Sequence, residues 1–306
     1  MLKKNKKEFS TTYIYKTDKK YEGENVYYFL ENEYDYSSRT FRYIIREGRL
    51  LINDKDAMFV DILKEGDIIK VSFPVEEADA PSTDMKIDII YEDDDIAVIN
   101  KKPGMVVHVT KSHPLDTLQN AIYHKWEIEK KHFKTRFVNR LDMDTSGIVV
   151  IAKNKYVHHF IQNQSINNQI DKKYVLIVDG IMDQKEGYIN APIKRDEGHP
   201  LRRIVAEDGK ECITKYKVIE EFKNHSLVEA KLITGRTHQL RVHFSYVGHP
   251  ILGDSLYNEN KSELISHQAL HAKSISFVHP RGNKPMTFEA ELFDDFKDVL
   301  EILKKS

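Results

Sequence analysis

One cysteine, Cys212, occurs among the 306 residues. A single thiol closes no internal disulfide, and without a cysteine cluster no zinc or iron–sulfur site is expected, so the reducing cytoplasm is the expected compartment. Long apolar runs are lacking too. No stretch of the sequence approaches the roughly 20 apolar residues of a membrane span, and no membrane partner is expected. Charge of one sign is not in excess: 47 Lys and Arg stand against 48 Asp and Glu, a net charge of −1. That excludes a polycation that grips nucleic acid through bulk charge, but leaves room for a local basic groove. Met1–Thr12 is basic yet carries no apolar run, so it does not read as a secretory signal. We find no internal repeat and no low-complexity tract. A hydrophobic content of 40% is ordinary for a globular chain, and the length suits about two domains with a sizeable core.

Residues 1–36 are polar, rich in Tyr and Lys, and carry no clear period; they are left as an unassigned N-terminal extension. From 37 to 74 the order is helix, Gly48, strand, loop, Gly66-Asp67, strand. Arg39, Arg42, Arg46 and Arg49 would share one helix face, with Phe41, Ile44 and Ile45 turned inward. Short strands are expected at 50–52 and 68–73. Residues 74–87 are acidic and hold two prolines, and 75–87 read as a linker. Beyond them apolar runs thicken, and 88–306 reads as one larger domain.

Within it, Thr117–Trp126 has helical spacing. Ile148–Ala152 is a short β-branched run of a strand buried on both faces. Asn154 is placed to cap a helix with Val157, Phe160 and Ile161 on one side. Lys173–Val178 reads as the next strand. Strand, helix, strand suggests a crossover with parallel strands. His225–Ile233 alternates as a further strand, taken as antiparallel, whose end would carry Arg236 to the edge where Asp142 lies.

The stretch N-R-L-D-M-D-T-S-G, residues 139–147, concentrates polar groups directly before the buried run. Asp142 and Asp144 suit turn or helix caps. Asp142-Met143-Asp144-Thr145 is also similar to the Asp-x-Asp nucleophile motif of haloacid-dehalogenase-like phosphotransferases, but that motif follows an apolar strand, and here the strand comes after. A metal site is not expected: His158 and His159 diverge on a helix, and His238 and His243 are five apart rather than four.

R-L-D-M-D-T-S-G with the apolar strand and Ala152-Lys153 resembles the central motif of the RluA-type RNA pseudouridine synthases. Further motifs agree in order: Lys102-Pro103-Gly104 with Val107-His108, Lys173-Tyr174, Gly209-Lys210 with Thr214 and Tyr216, T-G-R-T-H-Q-L-R-V-H followed by Gly248–Asp254, Leu270-His271-Ala272, and Phe277 with His279-Pro280. The resemblance covers about residues 88–293. Asn139 stands where His is usual and Val109 where Pro is common. Residues 37–74 resemble the S4 domain, a small RNA-binding module, with fewer basic residues than usual.

The resemblance implies a mixed α/β (α+β) catalytic domain around a bent, largely antiparallel sheet, preceded by the S4-like domain. It implies isomerisation of a uridine in structured ribosomal or transfer RNA, with no cofactor and no metal, in a cytoplasmic enzyme expected to be monomeric. Asp142 would be the catalytic carboxylate, acting on carbon or on a ribose proton. Arg236 would be its cationic partner, and Tyr174 would present a ring to the uracil. Arg140 would fill the gap left by the flipped base. Asn139, Arg202 and Arg203, with Arg42 and Arg46 on the S4-like helix, would touch RNA, and Leu141, Thr145, Ile233 and Gln239 would line the pocket. Asp144 would hold the loop, and Thr145 and Ser146 would bond within its turn. An RNA-binding protein without activity is the rival reading, and an Asp-nucleophile phosphotransferase the more distant one.

Overall fold

A computed structural model of the protein describes residues 8–305. The first unit is a four-stranded antiparallel sheet. Strand Phe9–Lys16 pairs with Ile68–Pro74, which pairs with Arg49–Ile52, which pairs with Lys55–Asp56. Helices Val26–Tyr34 and Ser38–Glu47 complete the unit. The described part of the unassigned extension therefore belongs to this unit from Phe9 onward. Its signal is a period of two: Thr11, Tyr13 and Tyr15 are buried while Thr12, Ile14 and Lys16 face out.

Helix Ser38–Glu47 starts where the Ser37 hydroxyl accepts the amide of Thr40, and it ends at Gly48. Phe41 and Ile44 are buried, but Ile45 is 71% exposed. Ile45 follows Ile44 by 100° around the helix axis, which carries it off the packed stripe. Arg49 belongs to the next strand and pairs with Asp56, so the arginine stripe stops at Arg46. Residues 75–87 form no regular element. They are nonetheless pinned, with Glu76 accepting from Arg136 and Tyr43, and Asp79 from Tyr123 and Gln119.

The larger unit is a ten-stranded sheet. Its main path runs Glu186–Asn190, Ile213–Glu221, His225–Leu232, Asp171–Asp179, Leu270–His279, Ser146–Ala152, Ile96–Lys101, Asp88–Glu92. Every pairing is antiparallel except that of Ser146–Ala152 with Leu270–His279. Those two share only the pairs His271–Ser146 and Ala272–Gly147, and from Ser274 the strand Lys284–Glu289 takes over the same edge. The sheet splits at this seam.

The expected parallel crossover is not formed. Helix Lys155–Ile166 does connect the two strands, capped by Asn154 on the amide of Val157. However, Leu270–His279 lies between them, antiparallel to Asp171–Asp179. A helix connection fixes neighbours only when no later strand inserts, and here an apolar strand from far down the chain does.

The small unit shares a hydrophobic core with the larger one. Tyr36 stacks on Tyr156 with ring centroids 4.2 Å apart. Tyr13 donates to the fully buried carboxylate of Asp95 at 2.6 Å, and Arg281 binds that carboxylate through two nitrogens. Among the described residues no helix is long and apolar enough to cross a membrane.

Candidate active site

The split in the sheet leaves a cavity of about 310 Å³, lined by Val138–Asp142, Thr145, Lys172, Tyr174, Leu232, Gly235–Arg241 and Leu270. Four chain segments far apart in sequence therefore face one another. The first is the loop 138–145, which ends the strand Arg136–Phe137 and enters Ser146–Ala152.

That loop is tied down at each end. The Asn139 amide donates to the carbonyl of Ile148 and accepts from the amide of Val150, both at 2.9 Å. Its polar atoms are spent on the strand, although it was expected to touch RNA. The Lys101 ammonium is buried and donates to the carbonyls of Met143, Met105 and Lys102 at 2.8–3.0 Å. Burial pushes its pKa down to about 7 against the opposing pull of the Asp144 and Asp142 charges. It is the cation beside Asp144.

Thr145 and Ser146 do not bond within the turn through their side chains. Thr145 Oγ1 accepts from Gln268, and Ser146 Oγ meets His271 Nδ1 at 2.9 Å, 125 positions away. At Gly147, φ is +108° and an added Cβ would sit 2.4 Å from the carbonyl oxygen of Ala272. Only glycine permits this close parallel approach.

The Asp142 side chain is 31% exposed. Its Oδ2 lies 3.2 Å from Nη1 of Arg241 and 3.7 Å from Nε2 of His238. Among the described residues nothing binds Oδ1. Arg241 is buried in helix Gln239–Tyr246 and also grips the fully buried Asp254 through Nε and Nη2, at 2.7 and 2.8 Å. His238 has φ of +58°, a backbone conformation disfavoured for a side chain of this size. Its Nδ1 lies 2.8 Å from the Tyr257 hydroxyl. Burial, and then the cations Arg241 and Arg203, keep the ring below the ordinary histidine pKa, against the pull of Asp142.

Tyr174 is buried opposite Ala230 and Ala272 on the flanking strands and lines the cavity. Burial, and then the charge of Asp142, hold its hydroxyl well above the usual tyrosine pKa.

Arg236 lines the same cavity but does not touch Asp142. It is exposed, and its Nε donates to the carbonyl of Glu211. The place expected for it is filled by Arg241, five residues on, because helix Gln239–Tyr246 turns Arg241 inward while Arg236 stays on the turn before it. Arg140 is exposed at the rim. Arg203 is on the two-stranded ribbon of Ile193–Arg195 and Arg203–Val205, and Arg202 directly precedes it. Arg202 lies against the ring of Tyr257. Arg42 and Arg46 are exposed on their helix, outside this cavity.

Leu141 and Thr145 line the cavity as expected. Gln239 does so too, but its amide is committed to Ile213, Thr214 and the amide of Arg236. Ile233 is not among the lining residues. Arg241, His238 and Lys172 went unread; the first two sit inside the quoted T-G-R-T-H-Q-L-R-V-H block. Among the described residues no group of three or more His, Cys, Asp or Glu is placed to hold a metal ion.

Residues 95–246 match the family model described as RNA pseudouridylate synthase. The chain is 37% identical over 278 residues to the uncharacterized RNA pseudouridine synthase YlyB of Bacillus subtilis, covering 90% of this chain and 92% of that one. The chain belongs to the RNA pseudouridine synthase family. As an RNA pseudouridine synthase it is an isomerase that acts on RNA. It is also 39% identical over 236 residues to the ribosomal large subunit pseudouridine synthase D of Buchnera aphidicola, covering 72% of this chain and 74% of that one. The solved structure of human RNA pseudouridylate synthase domain containing 4 shares the fold, with a TM-score of 0.59 at 23% identity over 71% of this chain and 93% of that one. Membership in this family leaves the phosphotransferase reading of Asp142-Met143-Asp144-Thr145 without support.

Proposed function

We propose that the protein isomerises a specific uridine of structured RNA, ribosomal or transfer, using Asp142 as its catalytic carboxylate after the base has left its stack. One observation carries this reading. Asp142 is held through Oδ2 by Arg241, with His238 Nε2 3.7 Å from the same oxygen, beside a cavity also lined by Tyr174, while Oδ1 has no partner among the described residues. A carboxylate so held is fixed through one oxygen and presents the other to a reactant.

The chemistry asks for little else. The N1–C1′ bond breaks, the base turns in place, and C5 joins C1′ as its proton departs. Oδ1 either adds to C1′ or removes a proton from the ribose. Tyr174 offers the uracil a flat face with a protonated hydroxyl at its edge. Flipping a nucleotide out of structured RNA costs a few kcal/mol, and Arg140 at the rim is the residue to occupy the vacated space. Arg202, Arg203 and the exposed Arg236 are suited to RNA phosphates, which makes binding fall with salt. The N-terminal unit, S4-like in its order of elements, would extend that contact through Arg42 and Arg46. A monomer in the cytoplasm, with no cofactor, suffices for this reaction. Ribosomal RNA is favoured as substrate because a relative over most of the chain is named for the large ribosomal subunit.

The test is a chemical map of pseudouridines in ribosomal and transfer RNA from cells lacking the gene. The same cells are then supplied with native protein or with Asp142→Asn. A site lost on deletion and restored by native protein alone is the expected result. Full restoration by Asp142→Asn would reduce the chain to an RNA-binding protein.

A further inference from the structure

Three lysines of the catalytic unit lie against the sheet, Lys101 and Lys153 buried and Lys172 half-buried, and the two buried ones have obvious employment. Lys101 donates to three carbonyls. Lys153 binds Glu92 and the carbonyl of Asp93. The third, Lys172, has no hydrogen bond, ion pair or ring partner among the described residues, yet it lines the cavity that holds Asp142. It precedes Tyr174 by two positions in the strand Asp171–Asp179, so both side chains leave the same face. Ile275 lies opposite it on the next strand, and Val138 and Leu232 line the cavity with it. Burial depresses the ammonium pKa, and no neighbouring carboxylate opposes that shift. A half-buried cation without an anion costs folding energy, and here it lines the cavity that holds Asp142.

The missing anion must come from the substrate, which offers phosphodiesters and, during the reaction, the uracil ring. The exposed Arg140 and Arg236 line the same cavity from the solvent side and are suited to phosphodiesters. Lys172 is recessed behind them, beside the tyrosine that faces the base. We propose that Lys172 is a substrate-binding cation of the active site, placed to hold the uracil oxygens as the N1–C1′ bond breaks and the ring becomes an anion. This inference rests on the pseudouridine synthase reading of the cavity.

The electron count is the same for either role of Asp142. The N1–C1′ pair stays with the uracil, spread over its two oxygens and the ring. C1′ then accepts a pair from Asp142 Oδ1, or shares the C2′–H pair as that proton passes to Asp142. The charge is discharged when C5 uses its π electrons to bond C1′. In the first case the C1′–Oδ1 pair returns to Asp142; in the second Asp142 gives its proton back to C2′. The C5 proton is then lost to solvent as N1 takes one up. A fixed cation facing charge that exists only after bond cleavage lowers the barrier without tightening ground-state binding.

The test uses full-length protein and ribosomal RNA carrying tritium at uridine C5, prepared from cells lacking the gene, so that isomerisation releases the label. Rates are measured with protein in excess and saturating, and RNA affinity is measured separately by filter binding. Lys172→Met is expected to slow release about 10²-fold, the scale of one lost electrostatic contact, with affinity unchanged within twofold. Lys172→Arg should recover most of the rate. The melting temperature of Lys172→Met should equal or exceed the native value, since a half-buried charge without a partner is removed.

A tenfold loss of affinity at unchanged saturated rate would make Lys172 a phosphate contact and overturn the proposal. So would an unchanged rate, or a rate lost together with several degrees of melting temperature and not recovered by Lys172→Arg. Failure of native protein to release tritium from ribosomal or transfer RNA would instead refute the function on which the inference rests.

Discussion

Arg241 joins the fold to the chemistry, and replacing it separates the two. Its guanidinium binds Asp254, which is sealed from solvent, and reaches Asp142 with its remaining nitrogen. Arg241→Met keeps most of the side-chain volume and removes the charge. Asp254 then keeps only the amides of Leu256 and Tyr257, at 3.0 and 3.1 Å. Breaking one side of a buried ion pair costs about 3–5 kcal/mol, and the two surviving amide bonds put this case near 3. An unfolding entropy of about 2.1 cal/mol/K per residue over 306 residues gives about 0.6 kcal/mol/K, so the melting temperature should fall by about 5 °C. Asp142 loses its closest cation in the same step, and tritium release should slow by about 10²-fold. Asp142→Asn is the control: its side chain is partly exposed, so it should lose activity while melting within about 1 °C of native. A melting shift below 1 °C for Arg241→Met would refute the buried pair. A 5 °C fall with the native rate would refute the claim that Arg241 conditions Asp142.

Two further expectations concern the seam of the sheet. Gly147→Ala forces a methyl group to within 2.4 Å of the Ala272 carbonyl at φ of +108°; the chain should lose at least about 3 kcal/mol, read as loss of soluble yield or a large drop in melting temperature. His271 is fully buried, with Nδ1 at Ser146 and Nε2 at the Ala290 carbonyl, and burial lowers its pKa to about 4. The unfolded chain takes up this proton from about pH 6.5 downward while the folded one does not. Stability should therefore fall from about pH 6.5 to pH 4, by up to about 3 kcal/mol, and level off below. In His271→Gln, denaturant melts across that range should show a shallower decline; an unchanged slope would assign the acid sensitivity elsewhere.

Local signals in the sequence carried much of the architecture. Thr117 and Asn154 cap the helices that follow them because short polar side chains satisfy the first free amides. The apolar run ending at Ala152 is a central strand because only burial on both faces tolerates such a run. What failed was non-local. The insertion of Leu270–His279 between two earlier strands leaves no mark on the residues that link those strands. The alternation of Thr11, Tyr13 and Tyr15 was readable, but it is masked by tyrosine, which is as common on surfaces as in cores. At the site, the motif brought Asp142, Tyr174 and Arg236 to one cavity. Which arginine meets the carboxylate depends on the rotation of one short helix, and the resemblance that points to Arg236 carries no information on that rotation. Lys172 was overlooked because a lysine before a strand reads as solvated until its neighbours are known.

The order in which the sheet is assembled has a consequence for synthesis. Strands are laid down from the N-terminus, yet the one at the seam, Leu270–His279, leaves the ribosome after nearly all its neighbours. Until it arrives, Ser146–Ala152 and Asp171–Asp179 each present an open edge, and the loop bearing Asp142 lacks the partners that Thr145 and Ser146 find in Gln268 and His271. A nascent chain halted before residue 270 is thus two half-sheets with sticky flanks, and the catalytic cavity is among the last features to be completed. Fragments ending short of that strand are expected to aggregate rather than to retain weak activity.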